Sequence, residues 1–198
     1  MKFTLLIAII LFSKIGFSQK TKAEINTDRN THLKELKDTV NGILTKEEIN
    51  EFNGLDYFNF DSTYQLQAIF KKQKGPKFGM VTSTERTPIY RRYGILTFNL
   101  GDKSLSLEVY QNIKLSKSKE YKHYLFVPFR DKTCGNSSYG GGRYLDIEKQ
   151  KGKSWLIDFN LAYNPYCAYS YRYSCPIPPK VNTLGTYIKA GERVPHGH

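Results

Sequence analysis

The sequence lacks the short motifs that mark the common catalytic and nucleotide-binding classes. It contains no G-x-S-x-G, no H-E-x-x-H, no phosphate-binding loop ending in Lys-Ser/Thr and no dinucleotide fingerprint. Each of these motifs supplies a particular strained turn, metal pair or phosphate cradle. Their absence argues against the α/β-hydrolase, zincin and Rossmann classes.

Cysteine and histidine are scarce, with three and four residues respectively. The C-x7-C spacing of Cys167 and Cys175 does not match a zinc ribbon or finger. A cysteine nucleophile needs a basic partner, and His123 offers one without a visible orienting residue. The Asp and Asn side chains do not match the spacing of a calcium loop. We therefore expect no metal and no cofactor.

Long hydrophobic runs are also missing. The one apolar run, Leu5–Phe12, is too short to cross a bilayer, which needs about 20 apolar residues. A lysine precedes it, and Gly16 and Ser18 occupy positions −3 and −1 of a cut before Gln19. This order is typical of a secretory signal. It predicts cleavage between Ser18 and Gln19, and a secreted or periplasmic single domain over 19–198, with no transmembrane segment.

Acidic residues are few, with 18 Asp and Glu against 30 Lys and Arg, a net charge of +12. The predicted signal holds Lys2 and Lys14 and no acids, so the remaining chain keeps a charge of +10. Such a charge favours acidic partners such as polyanionic glycans or anionic lipids. Nucleic acid is not expected outside the cytoplasm. The lysines also fit a simpler interpretation, as solvated hairpin ends that prevent edge pairing.

The hydrophobic pattern changes period along the chain. Helical spacing predicts a helix near 21–40, and the Thr45/Glu48 capping box starts a second one that ends by Gly54, a helical lead-in over about 21–53. From residue 64 onward, apolar and polar residues alternate. Gly101-Asp102 separates two such runs, which is typical of a hairpin. We expect a mainly β fold, an antiparallel sandwich or partly open barrel with one or two N-terminal helices. Its predicted strands are 64–70, 78–81 returning on it, 93–100, 105–110, 121–127, 155–159 and 186–189.

Two segments, 128–146 and 158–182, are not typical of ordinary β-strands and the turns between them. Gly140, Gly141 and Gly142 can adopt φ > 0 and turn backbone N–H groups inward as an anion-binding nest, with Arg143 adding a planar set of donors. A glycine-kinked corner with Arg143 in a structural ion pair is the alternative. The candidate ligand-binding residues are Arg143, Asp158, Asn160, Asn164, Asp131, Tyr139, Gly141 and Gly142.

The second segment also carries a tyrosine row and two cysteines. Tyr169, Tyr171 and Tyr173 alternate with polar residues, so they would share one face of a strand, either stacking on a sugar or packing half-buried. Export predicts oxidation of one cysteine pair. The short separation favours Cys167–Cys175 with Cys134 free, and this disulfide requires a bend in the segment.

The chain resembles the bacterial domain-of-unknown-function family DUF1684 at these same segments. The matching stretches include Tyr124–Asp131, Tyr139–Asp146, Asn164–Cys167 and Cys175-Pro176, with Ala190-Gly191-Glu192 extending them. The family's usual small polar residue is Cys134 here, which supports the assignment of Cys134 as the spare thiol. The resemblance implies no particular activity.

Two functions fit these residues. The first is an exported binding module with a polar pocket for a small anionic or sugar-like ligand. The alternative is a secreted hydrolase, in which Asp131 or Asp158 acts as general base and Arg143 with the glycine N–H groups binds the developing negative charge.

Overall fold

The computed structural model describes residues 19–40 and 42–195. The predicted signal peptide, residues 1–18, lies outside the described residues, as does the end of the C-terminal tail. Among the described residues, no helix is long and apolar enough to span a membrane.

Two helices precede the sheet, close to where the sequence predicts them. Helix α1 is Lys22–Lys37, and Thr21 with Glu24 forms a capping box at its start. Helix α2 is Lys46–Glu51, with the predicted Thr45/Glu48 capping box. In both boxes the threonine side chain accepts from the backbone N–H three residues later, and the glutamate accepts from the threonine N–H.

The sheet has seven strands, all paired antiparallel, and forms a half-barrel. The strands are β1 Gln65–Lys72, β2 Lys77–Gly79, β3 Ile89–Leu100, β4 Lys103–Asn112, β5 Tyr124–Phe129, β6 Arg143–Glu148 and β7 Ser154–Asp158. Their order is β6-β5-β4-β3-β1-β7, with β2 also on β3. The mainly β, partly open architecture predicted from the alternation is confirmed.

The β3–β4 hairpin is confirmed in detail. Leu100 pairs with Lys103 across the two-residue turn, and Gly101 adopts a φ of +60°. Glycine takes this conformation without steric cost. The hairpin is longer than the alternation indicated, because its ends continue as far as Ile89 and Asn112.

Three predicted strand features are wrong. β2 does not return on β1; both pair with β3, because the connecting loop continues along β3 through bonds such as Gly75 N–H to the Arg92 carbonyl. Residues 186–189 are not a strand. The tyrosine row is not a strand either: it follows a 3-10 turn at Tyr166–Ala168, the chain turns again at residues 169, 171 and 172, and Tyr171 is 91% exposed.

The main core lies inside the half-barrel. Phe70 and Trp155 stack with ring centroids 3.7 Å apart, joining β1 to β7. Gly94 faces this stack, and a Cβ there would come within 2.3 Å of the Phe70 ring. The rest of the core comes from the long strands, from the turn after β7 and from the C-terminal segment: Ala68, Leu96, Phe98, Leu107, Val109, Leu125, Val127, Phe129, Leu145, Ile157, Phe159, Ala162, Leu184, Ile188 and Ala190. Apolar burial of this kind is the main favourable contribution to folding.

Candidate functional site

Arg143 is fully buried and donates to the protein itself. Its guanidinium binds the carbonyls of Ile188, Ala190 and Glu192, and its Nη2 lies 3.3 Å from Asp131 Oδ1. Asp131 also accepts from the backbone N–H of Ile188 at 2.8 Å. The pair therefore fastens the C-terminal segment to β6. This arrangement is the structural ion pair that the sequence offers as the alternative interpretation of Arg143. The contact of Arg143 with a ligand stays a prediction.

The glycine run makes a corner at this place. Among the three glycines, Gly142 alone has a positive φ, +94°, and a Cβ on it would come within 2.6 Å of the Phe129 carbonyl oxygen. Gly141 lies against the ring of Tyr139, whose hydroxyl hydrogen-bonds with the Cys167 thiol. Gly142 is thus required by close backbone packing.

Asp158 and Asn160 form a second polar cluster at the end of β7. The Asp158 carboxylate accepts from the Gln65 amide at 2.7 Å and from the Asn160 backbone N–H at 2.9 Å. The Asn160 amide bridges to the backbone of Asp61. Asn160 lies in a 3-10 turn, Phe159–Leu161, so the expected shared strand face with Asp158 is not present.

Asn164 meets the Arg143 cluster through Glu192, whose carbonyl accepts from Arg143 and whose side chain accepts from the Asn164 backbone N–H. The Asn164 side-chain amide donates to Tyr169 Oη at 2.9 Å and to the Arg193 carbonyl at 2.8 Å. The eight predicted residues therefore belong to different hydrogen-bond networks. Of these, Asn160 lines one cavity and Asp158 lines another.

The cavity beside Asn160 lies between α1 and the sheet, and we call it the helix cavity. Its volume is about 240 Å³. Helix α1 contributes one wall, and β6 with the 160–166 segment contributes the other. The lining residues are Asp28, Arg29, His32, Glu35, Tyr57, Asp146, Asn160, Leu161, Tyr163 and Tyr166.

Asp146 presents a carboxylate to this cavity. Oδ1 accepts from the Tyr124 hydroxyl at 2.7 Å, and Oδ2 accepts from the Tyr163 hydroxyl at 2.9 Å. The residue stays accessible to solvent although protein surrounds it on most sides. Burial raises the pKa of Asp146, while the two hydroxyls and the nearby His32 act in the opposite direction. A fixed, accessible carboxyl group with a raised pKa is suited to proton transfer or hydrogen bonding with a ligand.

His32 reaches the same cavity from α1. Its Nε2 lies 3.4 Å from Glu192 Oε1, and its ring stacks on Tyr166 with an interplanar angle of 19°. Glu192 is fully buried and also accepts from the hydroxyls of Tyr57 and Tyr169. The imidazole is therefore held between rings and a carboxylate.

Arg29 completes the helical wall. Its guanidinium lies 4.3 Å above the Tyr57 ring and donates to the Asn160 carbonyl at 3.3 Å. Desolvation lowers the pKa of Arg29, with Tyr57 and two carboxylates opposing the change. Stacking on an aromatic face together with a backbone bond restricts the side chain to one position.

The candidate ligand-binding residues from the sequence did not include His32, Asp146, Glu192 or the tyrosines around them. In the sequence, His32 is one position of the helical spacing, His32, Leu33, Leu36 and Val40, that predicts the first helix. Asp146 and Glu192 are both inside the stretches that resemble DUF1684, which was the one available signal for them. Among the described residues, no three His, Cys, Asp or Glu side chains are grouped so as to hold a metal ion.

Comparison with known proteins fits this architecture. The model of the family described as "Protein of unknown function (DUF1684)" matches residues 50–193. The chain belongs to the DUF1684 family. No curated protein matches it. An uncharacterized protein from gene locus rrnAC0354 of Haloarcula marismortui, solved by solution NMR, is 34% identical with a TM-score of 0.68; the match covers 89% of this chain and 95% of that one.

The DUF1684 match includes one wall of the helix cavity. Asp146, Tyr163 and Tyr166 lie within residues 50–193, whereas Arg29 and His32 lie before the matched region. The resemblance inferred from the sequence is thus confirmed for the sheet and the C-terminal segment. In this DUF1684 protein, α1 adds charged and aromatic contacts to that wall.

Proposed function

We propose that this protein is an exported binding module that holds a small, neutral, sugar-like ligand in the helix cavity. The observation that carries the proposal is the Asp146 carboxylate, which two tyrosine hydroxyls orient at 2.7 and 2.9 Å while it stays accessible. Carboxylates fixed in this way accept hydrogen bonds from ligand hydroxyls, and flanking rings pack against the apolar faces of a sugar.

The charges of the lining favour a neutral ligand over an anionic one. Asp28, Glu35 and Asp146 line the cavity together with one arginine, Arg29, and one histidine. Asp28 also pairs with Lys20 at 2.6 Å. With Asp28 paired to Lys20, an anionic ligand would still meet the carboxyl groups of Glu35 and Asp146 beside one arginine, although the chain as a whole is basic. Of the two ligand classes expected from the sequence, the sugar-like class is therefore better supported than the anionic class.

Isothermal titration of methyl glycosides, with sugar phosphates and uronic acids in parallel, tests this proposal. We expect a neutral glycoside to bind, and Asp146→Asn and His32→Ala to weaken binding at least tenfold. Asp102→Asn, on the exposed β3–β4 turn, is the matched control and should bind normally. Binding of the anionic compounds alone, or binding unaffected by Asp146→Asn, would contradict the proposal.

A hydrolase is the second candidate function, and one observation favours it. Asp146 has a pKa raised by burial and lies near His32, whose ring contacts Glu192. In such a hydrolysis, either Asp146 or His32 takes a proton from water, and the other of these two residues protonates the leaving oxygen. Release of free sugar from an aryl glycoside, abolished by Asp146→Asn, would assign this activity.

The proposed function also includes export of the protein and a disulfide between Cys167 and Cys175. All three cysteines are free thiols in the structure, so the predicted Cys167–Cys175 disulfide is not formed there. The two residues nevertheless meet, because the Cys167 backbone N–H lies 3.2 Å from Cys175 Sγ. Hydrogen bonding with the Cys175 thiol lowers the pKa of Cys167 to about 7. A thiolate beside a second thiol is prepared for oxidation in an oxidising compartment.

Cell fractionation with N-terminal sequencing of the exported protein would test export and the predicted cleavage before Gln19.

A further inference from the structure

A second cavity continues from the helix cavity along the open side of the half-barrel. β6 and β7 are the two end strands of the sheet order, and residues of both line this space, which we call the seam cavity. Its volume is about 310 Å³. Its aliphatic side chains are Leu145, Ile147, Leu156 and Leu161.

The two cavities adjoin at shared residues. Asp146 and Leu161 line both of them. The helix cavity is lined by tyrosines, Arg29 and His32, whereas the seam cavity adds four aliphatic side chains. The lining of the seam cavity also includes Lys20, Glu148, Gln150 and Asp158. A molecule seated on both would therefore contact hydrogen-bonding groups at one end and aliphatic groups at the other.

A peptide strand is poorly matched to the middle of the seam. The Gln150 side-chain amide donates to the Leu156 carbonyl and accepts from the Leu156 N–H, both at 2.8 Å. An exposed strand edge recruits peptides through such unpaired backbone groups. Because Gln150 already pairs both groups of Leu156, the side chains of the seam, and not its backbone, are available to an occupant.

We infer that the ligand is an amphiphile, with a sugar-like head in the helix cavity and an alkyl chain along the seam cavity. This inference rests on the proposed function and names its ligand class. The half-buried side chains of Ile147, Leu156 and Leu161 would lose contact with water when the chain binds. Burial of apolar surface supplies the gain in affinity.

A chain-length series tests the inference on the full mature protein. Methyl, butyl, hexyl and octyl glucosides are titrated by calorimetry below their micellar concentrations. We expect the affinity to rise about three- to fourfold per added methylene until the seam is filled. Leu156→Trp, which fills the seam, should remove this increase and leave methyl glucoside binding unchanged.

The controls separate this inference from the proposed function. Val181→Gln changes an aliphatic residue that is 58% exposed and lines neither cavity, and should keep the full increase. Leu156→Gln repeats the test with a smaller change if the tryptophan variant fails to fold. Methyl glucoside binding that depends on Asp146, with equal affinity across the series, would overturn the amphiphile and leave the proposed function intact. Octanol binding as tightly as octyl glucoside would overturn the sugar-like head, and with it both proposals.

Discussion

His32 Nε2 and Glu192 Oε1 lie 3.4 Å apart, so the first helix contacts the last described segment at a buried carboxylate. Glu192 has no exposed surface, and it also accepts from Tyr57, Tyr169 and the Asn164 backbone N–H. This carboxylate therefore connects α1, the helix cavity and the C-terminal segment.

Glu192→Gln should destabilise the protein. The amide places donor hydrogens opposite groups that now donate to the carboxylate, and a buried unsatisfied group costs about 1–3 kcal/mol. Urea unfolding followed by circular dichroism measures this loss. Glu85→Gln, on an exposed loop, is the matched control. Equal unfolding free energies for the two variants would show that Glu192 does not connect these elements.

Arg143→Met should cost about 3–5 kcal/mol of unfolding free energy, because it leaves the Asp131 charge buried without its arginine partner and the carbonyls of Ile188, Ala190 and Glu192 without this donor. Arg143→Lys keeps the charge but loses the planar arrangement of donors, so an intermediate loss is expected. Lys103→Met, at the exposed start of β4, provides the surface comparison. A ligand-binding role without structural importance would instead leave the stability of both Arg143 variants near that of the wild type.

The pH dependence of stability should report Asp146. Its pKa is raised in the folded state above the ordinary value of 3.8, so the folded protein holds this proton more tightly than the unfolded chain does. Its contribution to stability is therefore present below pH 3.8 and is lost as the pH rises through the folded pKa. Unfolding free energies of wild type and Asp146→Asn, measured from pH 3.5 to 7, should show the wild type losing stability relative to the variant. A change in the opposite direction would mean that the two tyrosine hydrogen bonds lower the pKa of Asp146 more than burial raises it.

Non-reducing mass spectrometry of the exported protein should find Cys167 joined to Cys175 and Cys134 free. Closing a loop this short stabilises a fold by about 2–3 kcal/mol, so Cys167→Ser and Cys175→Ser should each lower the unfolding free energy by that amount under oxidising conditions. Cys134→Ser is the control and should not respond to reductant. A Cys134–Cys167 bridge would contradict the assignment.

Local features of this protein follow from the sequence because each depends on neighbouring residues. The Thr45/Glu48 capping box starts α2 and the Gly101-Asp102 turn joins β3 to β4, as predicted. Both depend on hydrogen bonds and backbone conformation within a few residues. Alternation of apolar and polar residues likewise determines the mainly β class, since one face of each strand must be buried.

The candidate site was decided by tertiary structure. The sequence is equally compatible with Arg143 and Asp131 as ligand-binding residues and as a structural ion pair. Only the packing of the Ile188–Glu192 carbonyls against them excludes solvent from the pair. His32, Asp146 and Glu192 come from a helix, a strand and the C-terminal segment, and no short-range pattern relates them. Their proximity depends on how α1 packs across the half-barrel, a set of long-range contacts that sequence periodicity does not specify.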